Sequence, residues 1–202
     1  VHSQRVENPE QWRKCSVMTK RWRYVNGKEL FDMQADPGQA KNVADQFPEV
    51  AKKMRGEYEQ WWASLKPGFS QYVRIGLGAD AENPANLTCH DWHTNNGPVP
   101  WNHGHIRKGP NNNGYWAVQV EQDGRYEFTL RRWPKQENKS AEATKARLKI
   151  GDVDATKPAT ADDTSVSFQV DLKKGTARME TWFTRPDGKT RGAYYVEVKR
   201  LK

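Results

Sequence analysis

The sequence predicts two parts: a small α+β unit over residues 1–66, then an antiparallel β-sandwich of jelly-roll type over residues 67–202. Three observations carry this expectation. The first is a two-residue hairpin signal, Asn26-Gly27, followed within a short distance by an apolar stripe at helical spacing. The second is a change of texture after Gln71, where apolar residues alternate with polar ones and turn pairs recur. The third is Lys66-Pro67-Gly68, a break that separates the two textures.

The elements follow in order. Val1 to Val6 reads as a strand entered midway and ends at the turn signal Asn8-Pro9. The chain starts at Val1 without an initiator methionine, and it is taken as a piece of something longer. Val17 to Asn26 reads as a strand with Val17, Trp22 and Val25 available for burial, and Lys28 to Met33 returns as its partner. Pro48 suits the first turn of a helix and Glu49 complements the dipole there. Val50, Met54, Tyr58, Trp61, Trp62 and Leu65 then form one apolar face.

The second part is expected to hold about eight short strands. Val73 to Leu77 and Asn86 to Trp92 come first. Trp116, Val118 and Val120 share one face, and Tyr126, Phe128 and Leu130 return after Asp123-Gly124. Residues 134–145 are polar and read as a mobile loop; Arg147 to Val153 follows with Leu148 and Ile150 inward. Val166, Phe168, Val170 and Leu172 alternate next, then Ala177, Met179, Thr181 and Phe183. After Pro186-Asp187-Gly188, Tyr194, Val196 and Val198 close the chain.

Composition excludes several classes of protein. With only Cys15 and Cys89, neither a disulfide framework nor a four-cysteine zinc site can be built. No apolar run approaches the roughly 20 residues of a membrane span. The net charge of +8 is spread thinly, +3 over residues 1–70 and +5 over the remainder, without a basic block. That distribution disfavours nucleic acid as a partner.

Residues Ser16 to Trp62, SVMTKRWRYVNGKELFDMQADPGQAKNVADQFPEVAKKMRGEYEQWW, carry a more specific pattern. A tryptophan-bearing strand precedes Gly-Lys-Glu-Leu-aromatic-Asp, then Asp-Pro-Gly, Asn-Val-Ala, and a helix ending in paired tryptophans. This resembles the C-terminal subdomain of sulfatases, the formylglycine-dependent hydrolases of sulfate esters; His2 to Arg5 also resembles the segment that precedes it in bacterial members. The resemblance implies a partner, an N-terminal sulfatase catalytic domain bearing formylglycine and calcium, and a periplasmic or secreted location. The nucleophile signature, Cys/Ser-x-Pro/Ala-x-Arg, fits neither Cys15 nor Cys89, so no catalytic residue and no cofactor is assigned to these 202 residues.

Candidate contacts lie mostly between Cys89 and Trp116, where glycine, proline and asparagine argue against regular structure. His90, His93, Trp101, His103, His105 and Arg107 are the candidate substrate-binding residues. The histidines can be read as metal ligands, as hydrogen-bonding residues that order a long loop, or as contacts to a polar ring compound. The missing cysteine pair and the flexible Asn-Asn-Gly-Pro segment argue against a metal. Strand parity adds a second set: Tyr115, Trp133, Trp182 and Tyr195 fall on outer faces, where large aromatics mark domain packing or stacking on sugars. His2 and Arg5 are a third, basic pair. The function expected is substrate recognition and scaffolding within a sulfate-ester hydrolase, for sulfated carbohydrate. The alternative is a free-standing carbohydrate-binding or adhesion module.

Overall fold

The computed structural model describes residues 1–4, 6, 8–94 and 99–201, in two units with separate cores, Val1–Tyr72 and Val73–Lys202. In the first unit, β1 (Ser16–Met18), β2 (Trp22–Val25) and β3 (Glu29–Asp32) form an antiparallel sheet in that order. Asn26 and Gly27 both take positive φ, 48° and 69°, which is what a tight hairpin between twisted strands requires. The expected single strand from Val17 to Asn26 is instead two. The Thr19 backbone N–H donates to the Trp22 carbonyl at 2.8 Å, and its hydroxyl accepts from the Trp22 N–H at 2.9 Å. This side-chain turn folds β1 back on β2, with Ser16 opposite Val25, and Tyr24 rather than Val25 becomes buried.

α1 (Pro48–Leu65) packs Met54, Tyr58 and Trp62 inward. Trp61 and Leu65, expected on that stripe, are 46% and 39% exposed, because the buried face follows i, i+4, i+8 and leaves them on its flank. Lys66-Pro67-Gly68 does not stop the chain; it tightens into a 3-10 turn, Lys66–Ser70, and the first unit runs to Tyr72. The expected strand at Val1 to Val6 reduces to one bridge, His2 opposite Cys15. The His2 ring stacks on Tyr58 and Trp62, with centroids 5.7 and 5.4 Å apart, and burial lowers its pKa. Arg5, the other member of that pair, lies outside the described residues.

The second unit contains β4 (Ile75–Leu77), β5 (Ala85–Thr88), α2 (His103–Lys108), β6 (Tyr115–Val120), β7 (Gly124–Arg131), β8 (Lys145–Ile150) and β9 (Val153–Pro158). β10 (Val166–Leu172), β11 (Gly175–Thr184), β12 (Thr190–Arg191) and β13 (Tyr195–Arg200) complete it. The smaller sheet runs β10-β7-β13-β5; the larger runs β4-β6-β11-β8-β9, with β12 paired to β11. Every pairing is antiparallel except β4 with β6.

One core draws on both sheets, so the unit is a β-sandwich. The alternating residues named from sequence face inward. Trp116, Val118, Tyr126, Phe128, Leu130, Leu148, Met179, Phe183 and Val198 are fully buried. The Trp116 indole donates to the Thr88 carbonyl at 2.7 Å, which satisfies its one polar atom within the core. Arg147 to Val153 is not one strand: Gly151, at φ 55°, turns β8 into β9. Residues 134–145 are no free loop either. Ala141 and Ala143 are fully buried, and the Ala141 and Thr144 N–H groups each bond a carbonyl, of Asp163 and Thr184, at 2.8 Å.

Candidate functional site

The described residues between Cys89 and Trp116 are more ordered than their composition suggests; the Asn-Asn-Gly-Pro segment, 95–98, lies outside the described residues. A 3-10 turn, Cys89–Asp91, follows β5 directly, and the Cys89 N–H bonds the Tyr194 carbonyl at 2.8 Å. α2 is bounded by residues that favour such ends. The Asn102 side chain accepts from the His105 N–H at 2.9 Å, and Gly109, at φ 56°, closes the last turn by donating to His105 and Ile106. Ile106 is the buried anchor of this helix.

Trp101 stands between these two elements and is 53% exposed. Its backbone is held from two sides: His90 Nε2 donates to the Trp101 carbonyl at 2.7 Å, and the Trp101 N–H points to His105 Nδ1 at 3.5 Å. The preceding carbonyl, Pro100, accepts from the buried Cys89 thiol at 3.1 Å. Burial pushes that thiol up to about 12, so it stays protonated and inert. The His105 ring meets the indole edge-on at 6.2 Å. His90, Trp101 and His105 therefore form one cluster around an exposed aromatic face.

The other candidate residues of this stretch go elsewhere. His103 Nε2 lies 3.7 Å from Glu137, beside the Trp133 ring, and Lys139 also pairs with Glu137. Lys139 first, then His103 and Arg107, hold the Glu137 carboxyl below its ordinary range. His93 pairs with Tyr115 through reciprocal backbone bonds of 2.9 and 3.0 Å, and their rings stack at 5.1 Å. The four histidines thus divide among three places, His90 and His105 at Trp101, His103 at Glu137 and His93 at Tyr115, and among the described residues no three His, Cys, Asp or Glu side chains converge as a metal set.

Beneath α2 lie two buried arginines that the sequence reading did not single out. Arg132 donates to the Arg107 carbonyl at 3.2 Å and pairs with Glu142. Arg191, 1% exposed, donates to the Ala141 carbonyl at 2.6 Å and lies 3.7 Å from the same carboxylate. Arg132 thereby caps a carbonyl in the last turn of α2, where cations are favoured, while Arg191 ties Ala141 and Glu142 beside it.

The outer-face aromatics divide. Tyr115, Trp182 and Tyr195 are half-buried on outward faces. The Arg178 guanidinium covers the Tyr115 ring at 4.5 Å and that of Arg147 covers Trp182 at 4.7 Å. Burial raises the Tyr195 hydroxyl pKa. Trp133 does not face outward. It is buried, with its indole donating to the Ser140 carbonyl at 3.0 Å, because β7 ends at Arg131 and strand parity no longer governs its side chain. Arg147 and Asn102 are not among the sequence candidates; the inward reading of Leu148 implies the first, and an Asn seven residues before Gly109 implies the second.

Sequence comparison finds no protein-family model and no curated protein that matches this chain. Solved structures similar to it include a ruminal GH26 endo-beta-1,4-mannanase, at 19% identity and a TM-score of 0.39, over 60% of this chain and 26% of that one. A carbohydrate-binding module of Cellvibrio mixtus lichenase 5A, solved with cellotriose, matches at 12% identity and a TM-score of 0.33, over 60% of this chain and all of that one. A family 35 carbohydrate-binding module from Clostridium thermocellum matches at 15% and 0.34, over 59% of this chain and all of that one. The chain spans about a quarter of the mannanase's length. These likenesses are too distant to locate a site, and nothing in them indicates a sulfatase.

Proposed function

We propose that the sandwich Val73–Lys202 binds carbohydrate, through an edge built on Trp101 with His90 and His105. One observation carries this reading: a large aromatic ring is exposed while the carbonyl and N–H of its own backbone are bonded to His90 and His105. Leaving an indole half in water forgoes burial worth about 25 cal/mol per Å². A ring whose backbone is already hydrogen-bonded supplies a flat apolar surface at a reduced ordering cost on binding. The apolar face of a pyranose stacks on the ring, while imidazole nitrogens and the Asn102 amide meet its hydroxyls. This is recognition rather than bond cleavage.

The finer reading places the sandwich in a sulfate-ester hydrolase, beside a catalytic domain that supplies formylglycine and calcium. It rests on the residues Ser16 to Trp62, and the antiparallel sheet and single amphipathic helix of Val1–Tyr72 support it. A Cys/Ser-x-Pro/Ala-x-Arg signature encoded upstream of Val1 is the expected finding; its absence there ends this reading.

The carbohydrate reading is tested by titrating the protein with a panel of neutral and sulfated polysaccharides while following tryptophan fluorescence. At least one glycan is expected to shift the emission, and Trp101→Ala is expected to lose that shift while keeping the wild-type melting temperature. A protein whose emission is indifferent to every glycan, or a variant that responds like the wild type, contradicts the assignment.

A further inference from the structure

Strand register collects a second, unrelated surface on the larger sheet. Tyr115 stands opposite Glu180, Glu180 opposite Lys149, and Lys149 opposite Asp154, which makes one row across four strands. Trp182, Arg147 and Thr156 make the next row, and Arg178 lies two residues before Glu180 on the same face. Paired residues of an antiparallel ladder share a face, so all of these project away from the core.

The two outward faces of the sandwich differ in charge. On the larger sheet Arg178, Arg147, Lys149 and Lys145 oppose only Glu180 and Asp154, a net of +2. On the smaller sheet Arg125, Arg131 and Lys199 are balanced by Glu127, Asp171 and Glu197. Arg147 is held by Asp154, with its Nε 2.7 Å from the carboxylate. Arg178, Lys149 and Lys145 make no ion pair among the described residues and are exposed. The two guanidiniums lie over aromatic rings, which fixes their planes and keeps the cations close to the sheet.

We propose that this outward face, centred on Arg178, Lys149 and Lys145, binds an anionic polysaccharide. The Arg178 guanidinium, held flat on Tyr115, offers forked donors to sulfate or carboxylate oxygens, while that of Arg147, over Trp182, is already engaged by Asp154. A neutral sugar would have to displace them from the rings before it could stack. The capped rings favour a sugar polymer over a nucleic acid: with guanidiniums lying over Tyr115 and Trp182, neither ring offers its face for a base to stack on. The surface is independent of the Trp101 edge, and either can fail without the other.

The test compares dextran sulfate with dextran, using the whole chain at low salt. Arg178→Glu combined with Lys149→Glu is set against Arg125→Glu combined with Lys199→Glu, an equal charge change on the opposite face. All four positions are exposed, so both variants are expected to melt like the wild type. Dextran sulfate is expected to bind more tightly than dextran. The first pair should weaken binding about tenfold or more; the second pair should leave it within about twofold. Equal weakening by both pairs would reduce the effect to bulk charge and overturn the proposal. So would dextran binding that the first pair abolishes. A single-stranded oligonucleotide of matched charge that binds more tightly than dextran sulfate, and is lost with the first pair, would also overturn it.

Discussion

Gly109 occupies the point where α2 meets the buried arginines, and its requirements are strict. At φ 56° it sits where side chains are strained, and a Cβ there would lie 2.8 Å from Arg191 Nη1 and 3.0 Å from Arg132 Nη2. Gly109→Ala is expected to destabilise the protein by about 1–3 kcal/mol in denaturant melts; a change smaller than about 0.5 kcal/mol would mean the guanidiniums simply move aside. Cys89 gives a second residue-level test. Being 3% exposed, with burial pushing its pKa up to about 12, it should resist iodoacetamide at pH 8 in the folded protein and react once the chain is unfolded. Rapid labelling of folded protein would show that the loop over it opens. At this scale the sequence announced residue types but not partners. His90 and His105 could be seen as polar groups beside Trp101, yet the carbonyl that His90 holds is eleven residues away. Nothing in the chain order predicts that the neighbouring His103 turns instead to Glu137.

Elements were legible where periodicity alone decides them. The inward alternation of β6, β7, β10, β11 and β13 survives intact, because a one-residue slip would expose an entire apolar row. β9 escaped notice since Val153 and Ala155 are its only apolar residues before the proline, and it lies at the edge of its sheet. α2 escaped for another reason: six residues carry too little periodicity to register, and only its Asn and Gly ends betray it. Local side-chain chemistry also overrode pattern at Asp32, which terminates β3. Its carboxylate accepts from Arg21 at 2.7 and 3.0 Å and from the Gln34 and Ala35 N–H groups, with Arg21 the largest cause of a pKa below the ordinary value. The folded carboxyl thus binds a proton less readily than the unfolded one. Its contribution is complete above the unfolded pKa, about 4, and is lost as pH falls through the lower folded value. Asp32→Asn should flatten the acid limb of the stability profile of Val1–Tyr72, followed by circular dichroism. An unchanged acid limb would assign that loss to other carboxylates.

At the scale of the whole molecule, a hairpin-and-helix unit and a β-sandwich each close their own core, and the candidate contacts fall in the second. The sandwich offers two kinds of surface with different chemistry. One is an edge where the exposed Trp101 indole stands among imidazole and amide groups. The other is a flat face whose rings are already capped by cations. The sequence indicated both through tryptophan, but it could not tell a ring that faces water, Trp101, from one that turns inward beyond the end of its strand, Trp133. Isothermal titration tests the central claim most directly. The polysaccharide of the fluorescence panel with the largest response is titrated into the wild type and into Trp101→Ala. The account predicts measurable heat for the wild type and affinity at least tenfold weaker for the variant, with both proteins equally folded. Equal affinities, or no heat in either, would contradict it.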